Sequence, residues 1–296
     1  MKSTYLDFSF NYKLENFTIY KRVRELNLNH CNNLKLIKFE NVSMSQLTSI
    51  HLRNTSSILI NELDFSQLLN LEFLDLSWNK LNIKILKTLK NIKNLRYLHL
   101  INTNLILKSE YFKSISLVGI SFSLNIIEFN SKRNLKFLNC ENDYLDYLLL
   151  ASTNLTNIDF ENFIYFECFS YLNDLKLSNN FLTMIKYFYF EYAYSLHYLD
   201  LSNNKIEFIQ SKSFATAKYL ILLDLSFNKL KSISKSIFIE ENNIMHASLA
   251  FSNINILYLN DNHLDYFDIL SLFSRSKTIT LNNNKLNRIE SIFTYH

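Results

Sequence analysis

The chain has 296 residues, 48% hydrophobic and 20% charged, and a formal net charge of +4. That composition can bury a substantial core, holds no apolar run near the roughly 18 residues a membrane helix needs, and spreads its charge too thinly for a nucleic-acid footprint. One glycine and no proline exclude most phosphate-binding loops and leave asparagine to supply left-handed turns.

Along the chain one frame recurs, L-x-x-L-x-L-x-x-N-x-L. An opening copy from about Ser3, with "LDFSFNYKL" (6–14), mirrors "LNLNHCNNL" (26–34) in the copy that starts at Val23. Next come Leu47, the close copy "LEFLDLSWNKL" (71–81), and degenerate copies at Leu95, Leu117, Leu135 and Leu155. Four close copies follow, "LNDLKLSNNFL" (172–182), "LHYLDLSNNKI" (196–206), "LILLDLSFNKL" (220–230) and "INILYLNDNHL" (254–264), with a weak one at Ser276, about thirteen in all.

Positions 4 and 6 of the frame alternate with polar positions 3, 5 and 7, so each copy supplies one short strand with leucines turned inward. A single copy cannot bury that face. Stacking the copies makes a parallel sheet over one continuous core. At position 9, Asn11, Asn79, Asn125, Asn180, Asn204, Asn228, Asn262 and Asn284 are expected to hydrogen-bond the backbone of the following turn. Cys31, Thr55, Thr103 and Asp143 stand in elsewhere, and Phe163 has no group that can. Ile185, Ile209 and Ile233 at position 14, and Phe190, Phe214 and Phe238 at position 19, repeat every 24 residues.

These residues resemble the leucine-rich repeat family over essentially the full length. The 24-residue spacing is similar to its typical class, found in Toll-like receptors and insect leucine-rich immune proteins. The resemblance implies an α/β solenoid, a horseshoe with a parallel β-sheet on its concave face, in a single domain spanning 1–296. It also implies a non-catalytic recognition module that binds a protein or microbial ligand through the concave face, in an extracellular or cell-surface receptor of innate immunity and signal transduction. The alternative is a cytoplasmic scaffold or adaptor that uses the same face on a protein partner.

Several irregularities bear on that choice. Neither end carries a leader or a cap, and both stop inside the array, so the chain is expected to be a fragment whose open ends offer surface for homo- or hetero-oligomers. Starts at 117, 135, 155 and 172 leave short repeats and predict a kinked arc, whereas the ten or so extra residues near 240–253 predict a loop on one face. Cys31 and Cys140 fall at core positions and Cys168 in a turn, which argues against a disulfide framework. Asn16, Asn41, Asn54 and Asn154 head glycosylation sequons, no more than an asparagine-rich chain yields by chance.

No nucleophile motif or metal-spaced Cys/His cluster appears, so no enzyme activity, cofactor or metal is expected. A binding surface remains, because positions 2, 3, 5, 7 and 8 face out of the concave sheet. Position 5 reads His51, Asp75 and His99 in three successive copies. Around that ladder lie Arg53 at position 7, Glu72 and Arg96 at position 2, Phe73 and Tyr97 at position 3, and Trp78 at position 8. Aromatic and arginine side chains clustered in solvent are what interface hot spots favour. Trp78 either covers the sheet edge or touches a partner; the ladder is either a plain stack or a contact whose histidines charge near pH 6. A second strip is expected at Asp159, Lys176, Asp200 and Asp224, beside Glu161 and Asp174, with His197 and Tyr198 extending it.

Overall fold

The structure is a computed structural model that describes residues 4–19, 22–39, 46–65, 68–89, 91–108, 117, 119–123, 125–128, 145–157, 159, 161, 166–238, 254–267 and 278–289. The chain divides into two compact units, Met1–Asp143 and Tyr144–His296.

In the first unit the frame yields six three-residue strands: Tyr5–Asp7, Glu25–Asn27, Ser49–His51, Phe73–Asp75, Tyr97–His99 and Gly119–Ser121. Each pairs in parallel with the next in the register the frame dictates, position 4 against position 4, as in Leu26–Ile50–Leu74–Leu98. Those central residues are buried, because the pleat turns every second side chain into the core. The chain returns through short helices, Ser57–Glu62 and Lys84–Leu89, which bury Leu59, Ile60, Ile85, Leu86 and Leu89. Elsewhere it returns through strand pairs such as Asn16–Ile19 with Leu36–Phe39.

The second unit repeats the plan with strands Tyr147–Leu149, Asp174–Lys176, Tyr198–Asp200, Leu222–Asp224, Ile256–Tyr258 and Thr278–Thr280. On its return side, Phe169, Phe190, Phe214 and Phe238 form a buried spine with ring centroids 6.3, 5.4 and 5.7 Å apart. Leu222 still pairs directly with Ile256, so the extra residues expected near 240–253, which lie outside the described residues, leave the sheet register intact.

The position-9 asparagines tie successive repeats together. Asn204 Nδ2 donates to the carbonyls of Leu177 and Leu201, while its Oδ1 accepts from the Leu182 amide at 3.1 Å. Asn79, Asn180, Asn228, Asn262 and Asn284 make equivalent sets. Thr55 and Thr103 substitute with a hydroxyl, and Cys31 Sγ donates to the Phe8 carbonyl at 3.2 Å. One side chain thereby satisfies three main-chain groups that would otherwise be buried unpaired.

Two expectations are corrected here. "LDYLLLASTNL" (145–155) is a full repeat: Leu145, Leu148, Leu150 and Leu155 are buried, Thr153 takes position 9, and its amide reaches Asn180 Oδ1 27 residues on. Leu155 therefore closes a repeat instead of starting one, so the short repeat expected from it is not there, and the count of thirteen is not confirmed. Leu135, Asp143 and Phe163 lie outside the described residues. Cys168 is disulfide-bonded, whereas Cys31 is a free buried thiol.

Candidate functional site

Three residues after the last strand residue, every repeat described at that position adopts left-handed backbone. Phe10, His30, Asn54, Trp78 and Asn102 in the first unit all have φ between 47° and 62°, and Ser152, Asn179, Asn203, Phe227, Asp261 and Asn283 follow in the second. A residue with a Cβ costs about 1–2 kcal/mol there, less for asparagine, whose side chain bonds locally. Trp78 adopts φ 62° and remains 44% exposed, with the Arg53 guanidinium 5.5 Å from its ring centroid. Neither propensity nor burial favours tryptophan at that point.

Beside it stands the predicted ladder. His51 pairs with Asp75 and Asp75 with His99 on adjacent parallel strands. Phe73, one row over, packs on both imidazoles, 4.7 Å from His51 and 5.1 Å from His99, and lies 6.4 Å from Tyr97. Asp75 is only 7% exposed, and its Oδ1 accepts from the Ser77 amide at 2.9 Å. Glu72 and Arg96 form an exposed rim. Burial pulls both imidazoles below their ordinary pKa, and the opposing attraction of Asp75 is the smaller effect. Both imidazoles therefore stay neutral to lower pH than an ordinary histidine. All nine predicted residues thus lie in one unit.

Sequence reasoning missed the partners that fix this surface. Ser49 Oγ lies 3.1 Å from His51 Nε2. Phe10 stacks on His30 at 4.6 Å, and Asn54 Nδ2 lies 3.0 Å from His30 Nδ1. Recurrence of aromatic and amide residues at position 8 was the available signal.

The second strip is only partly as expected. Asp159 and Glu161 are not on the strands, because the repeat starts at Leu145 and carries them into the return segment. There Asp159 Oδ2 accepts from the Thr156 amide at 3.0 Å and hydroxyl at 2.6 Å, a helix-capping arrangement. Glu161 accepts from Tyr189 Oη at 2.7 Å and pairs with Lys186 at 2.8 Å. Burial raises the Tyr189 phenol's pKa far above its usual value. His197 is held by the Ser195 carbonyl at 2.6 Å and stacks on Tyr219. Lys176, Asp200 and Asp224 do align on paired strands beside Asp174 and Tyr198. They border a cavity of about 400 Å³ on the open face of the second unit.

Among the described residues no group of three His, Cys, Asp or Glu side chains is placed to hold a metal ion. No helix among them is long and apolar enough to cross a membrane. Wide, strand-mounted surfaces of this kind are suited to holding a macromolecular partner.

Residues 170–230 and 194–246 match the family model described as leucine rich repeat. No functionally curated protein matches the chain. Among solved structures, the mouse RP105/MD-1 complex is similar with a TM-score of 0.57 and 19% identity, over 92% of this chain and 50% of that one. The ectodomain of the Arabidopsis thaliana receptor kinase GASSHO1/SCHENGEN3, in complex with CASPARIAN STRIP INTEGRITY FACTOR 2, gives 0.54 and 19%, over 92% and 40%. The Leptospira interrogans leucine-rich-repeat protein LIC12759 gives 0.55 and 22%, over 90% and 68%. The chain thus spans about half the length of the first two or less. Recurring frame, parallel-sheet solenoid and family match agree: the chain is a leucine-rich-repeat protein.

Proposed function

We propose that the chain is a non-catalytic recognition module of an extracellular or cell-surface leucine-rich-repeat protein, and that it binds a protein partner through the open face of its first unit. His51, Arg53, Glu72, Phe73, Asp75, Trp78, Arg96, Tyr97 and His99 form the contact surface. The observation that carries this reading is Trp78, held 44% exposed on left-handed backbone beside Arg53. A large aromatic kept in solvent at a conformational cost is well placed as an interface anchor. Two similar structures were solved as complexes, RP105 with MD-1 and the GASSHO1/SCHENGEN3 ectodomain with CASPARIAN STRIP INTEGRITY FACTOR 2, which supports the same use of the fold. The disulfide at Cys168 supports an oxidising compartment.

A photo-crosslinking residue placed at Tyr97 of the full chain, expressed in its native cells, tests the surface. Its crosslinked partner should lose about 1–2 kcal/mol of affinity when Trp78 or Arg96 becomes alanine. Unchanged affinity in both variants would assign these residues to packing. Glycan mapping of the native protein tests the compartment: Asn16 and Asn154 are exposed, whereas the Asn54 amide is engaged by His30. Bare asparagines together with a reduced Cys168 would move the protein to the cytoplasm, as an adaptor.

A further inference from the structure

The cavity of about 400 Å³ on the second unit has an unbalanced lining. Its position-5 row runs Lys176, Asp200, Asp224, Tyr258 across four directly paired strands, and its position-3 row sets Asp174, Tyr198 and Leu222 alongside. Three carboxylates therefore face one ammonium. Neighbouring strands are about 4.8 Å apart, close enough for the like charges to oppose one another. Burial and neighbouring carboxylates both make the ionised forms of Asp174 and Asp224 harder to hold than usual.

The acceptors are only half used. Asp200 Oδ1 accepts from the Ser202 amide at 3.0 Å and hydroxyl at 2.6 Å, and Asp224 Oδ1 accepts from Ser226 at 2.9 and 2.6 Å. Those bonds lock the two carboxylates in place, and no described residue donates to either Oδ2. Asp174 Oδ1 is sealed from solvent with no hydrogen-bond partner. A buried acceptor left in that state is costly, and a cationic donor at the Oδ2 atoms of Asp200 and Asp224 relieves the repulsion among the three carboxylates.

The walls define the shape of that cation. Tyr198, 47% exposed, with Leu222 and Tyr258 offers an apolar and aromatic surface along which an aliphatic stem can lie while its charged head reaches the carboxylates. A guanidinium suits the arrangement better than an ammonium, because its planar fork of donors serves several carboxylate oxygens at once and is more weakly hydrated. We propose that this groove is a docking subsite for an arginine side chain carried on an extended segment of the protein partner. It rests on the reading of the open strand face as the protein-binding surface, and it adds the chemistry that one part of the partner must present.

The test uses the full chain and the tripeptide acetyl-Gly-Arg-Gly-amide, titrated by ligand-observed NMR against its citrulline, lysine and glutamate analogues and against spermidine. The arginine probe should bind at least about tenfold more tightly than the uncharged citrulline probe, and should weaken several-fold between about 50 and about 500 mM NaCl. Asp200→Asn combined with Asp224→Asn should weaken it by about tenfold, and Lys176→Ala, on an exposed side chain, should strengthen it. Lys35→Ala, an exposed residue of the first unit outside the contact surface, should leave it unchanged. Equal binding of the citrulline probe, or indifference to both variants, would overturn the subsite; stronger binding of spermidine would reassign it to free polyamines. If the probe behaves as expected while Trp78→Ala and Arg96→Ala spare partner affinity, the first-unit reading fails and the subsite stands. The opposite pattern removes the subsite alone.

Discussion

His51 and His99 sit on either side of Asp75 in directly paired strands, and both rings pack on Phe73, at 4.7 and 5.1 Å. The carboxylate and the apolar ring act on the histidines in opposite senses. Desolvation prevails for both, so their folded-state pKa values lie below the ordinary imidazole value of 6.5.

A group with a depressed folded-state pKa binds fewer protons folded than unfolded. For these histidines the stabilisation is complete above about pH 6.5 and is lost as the pH falls from there through the lower folded values. Wild type should therefore lose melting temperature between pH 7 and pH 5 more steeply than the variant carrying His51→Gln and His99→Gln. Parallel curves for the two proteins would show that the ladder does not titrate in this window.

Trp78 tests strain against binding. At φ 62° it occupies the backbone state that Asn54, Asn102, Asn179 and Asn203 fill elsewhere. Trp78→Asn should hold or raise stability, by up to about 1 kcal/mol, because asparagine tolerates left-handed backbone. Partner affinity should fall in the same variant. A clear drop in melting temperature would instead show that the indole contributes packing.

The phenylalanine spine gives the contrasting case. Phe214 is 1% exposed, between Phe190 at 5.4 Å and Phe238 at 5.7 Å. Phe214→Ala should cost about 3–5 kcal/mol in urea unfolding, with the first-unit surface unaffected in binding. An unchanged unfolding midpoint is the outcome that contradicts burial there.

Each interior asparagine should be hard to replace. Asn204→Ala removes two donors and one acceptor from buried main-chain groups and should destabilise by about 2 kcal/mol or more. Asn204→Asp, nearly isosteric, should be no better, because it has no amide hydrogens to give the Leu177 and Leu201 carbonyls. Tolerance of aspartate would mean that side-chain volume, not donation, fills position 9.

The sequence by itself determined the repeat, the strand register, the asparagine ladder from Asn79 to Asn284 and the spine at Phe190, Phe214 and Phe238. Each follows from a short-range period, which is all that a pleated strand and a stacked turn require. It also placed His51, Asp75 and His99 in one row, because frame position converts directly into strand position. Local pattern failed where two frames overlap: Leu155 fits as the first residue of one copy or the last of another. Only the pairing of Leu148 with Leu175 decides between them, and that choice moves Asp159 and Glu161 off the strand face. Tertiary structure alone decided the left-handed backbone at Trp78, the disulfide at Cys168, the depressed histidines and the orphaned Asp174 oxygen. Those depend on which groups meet across repeats and how much water is excluded between them, neither of which a linear period encodes.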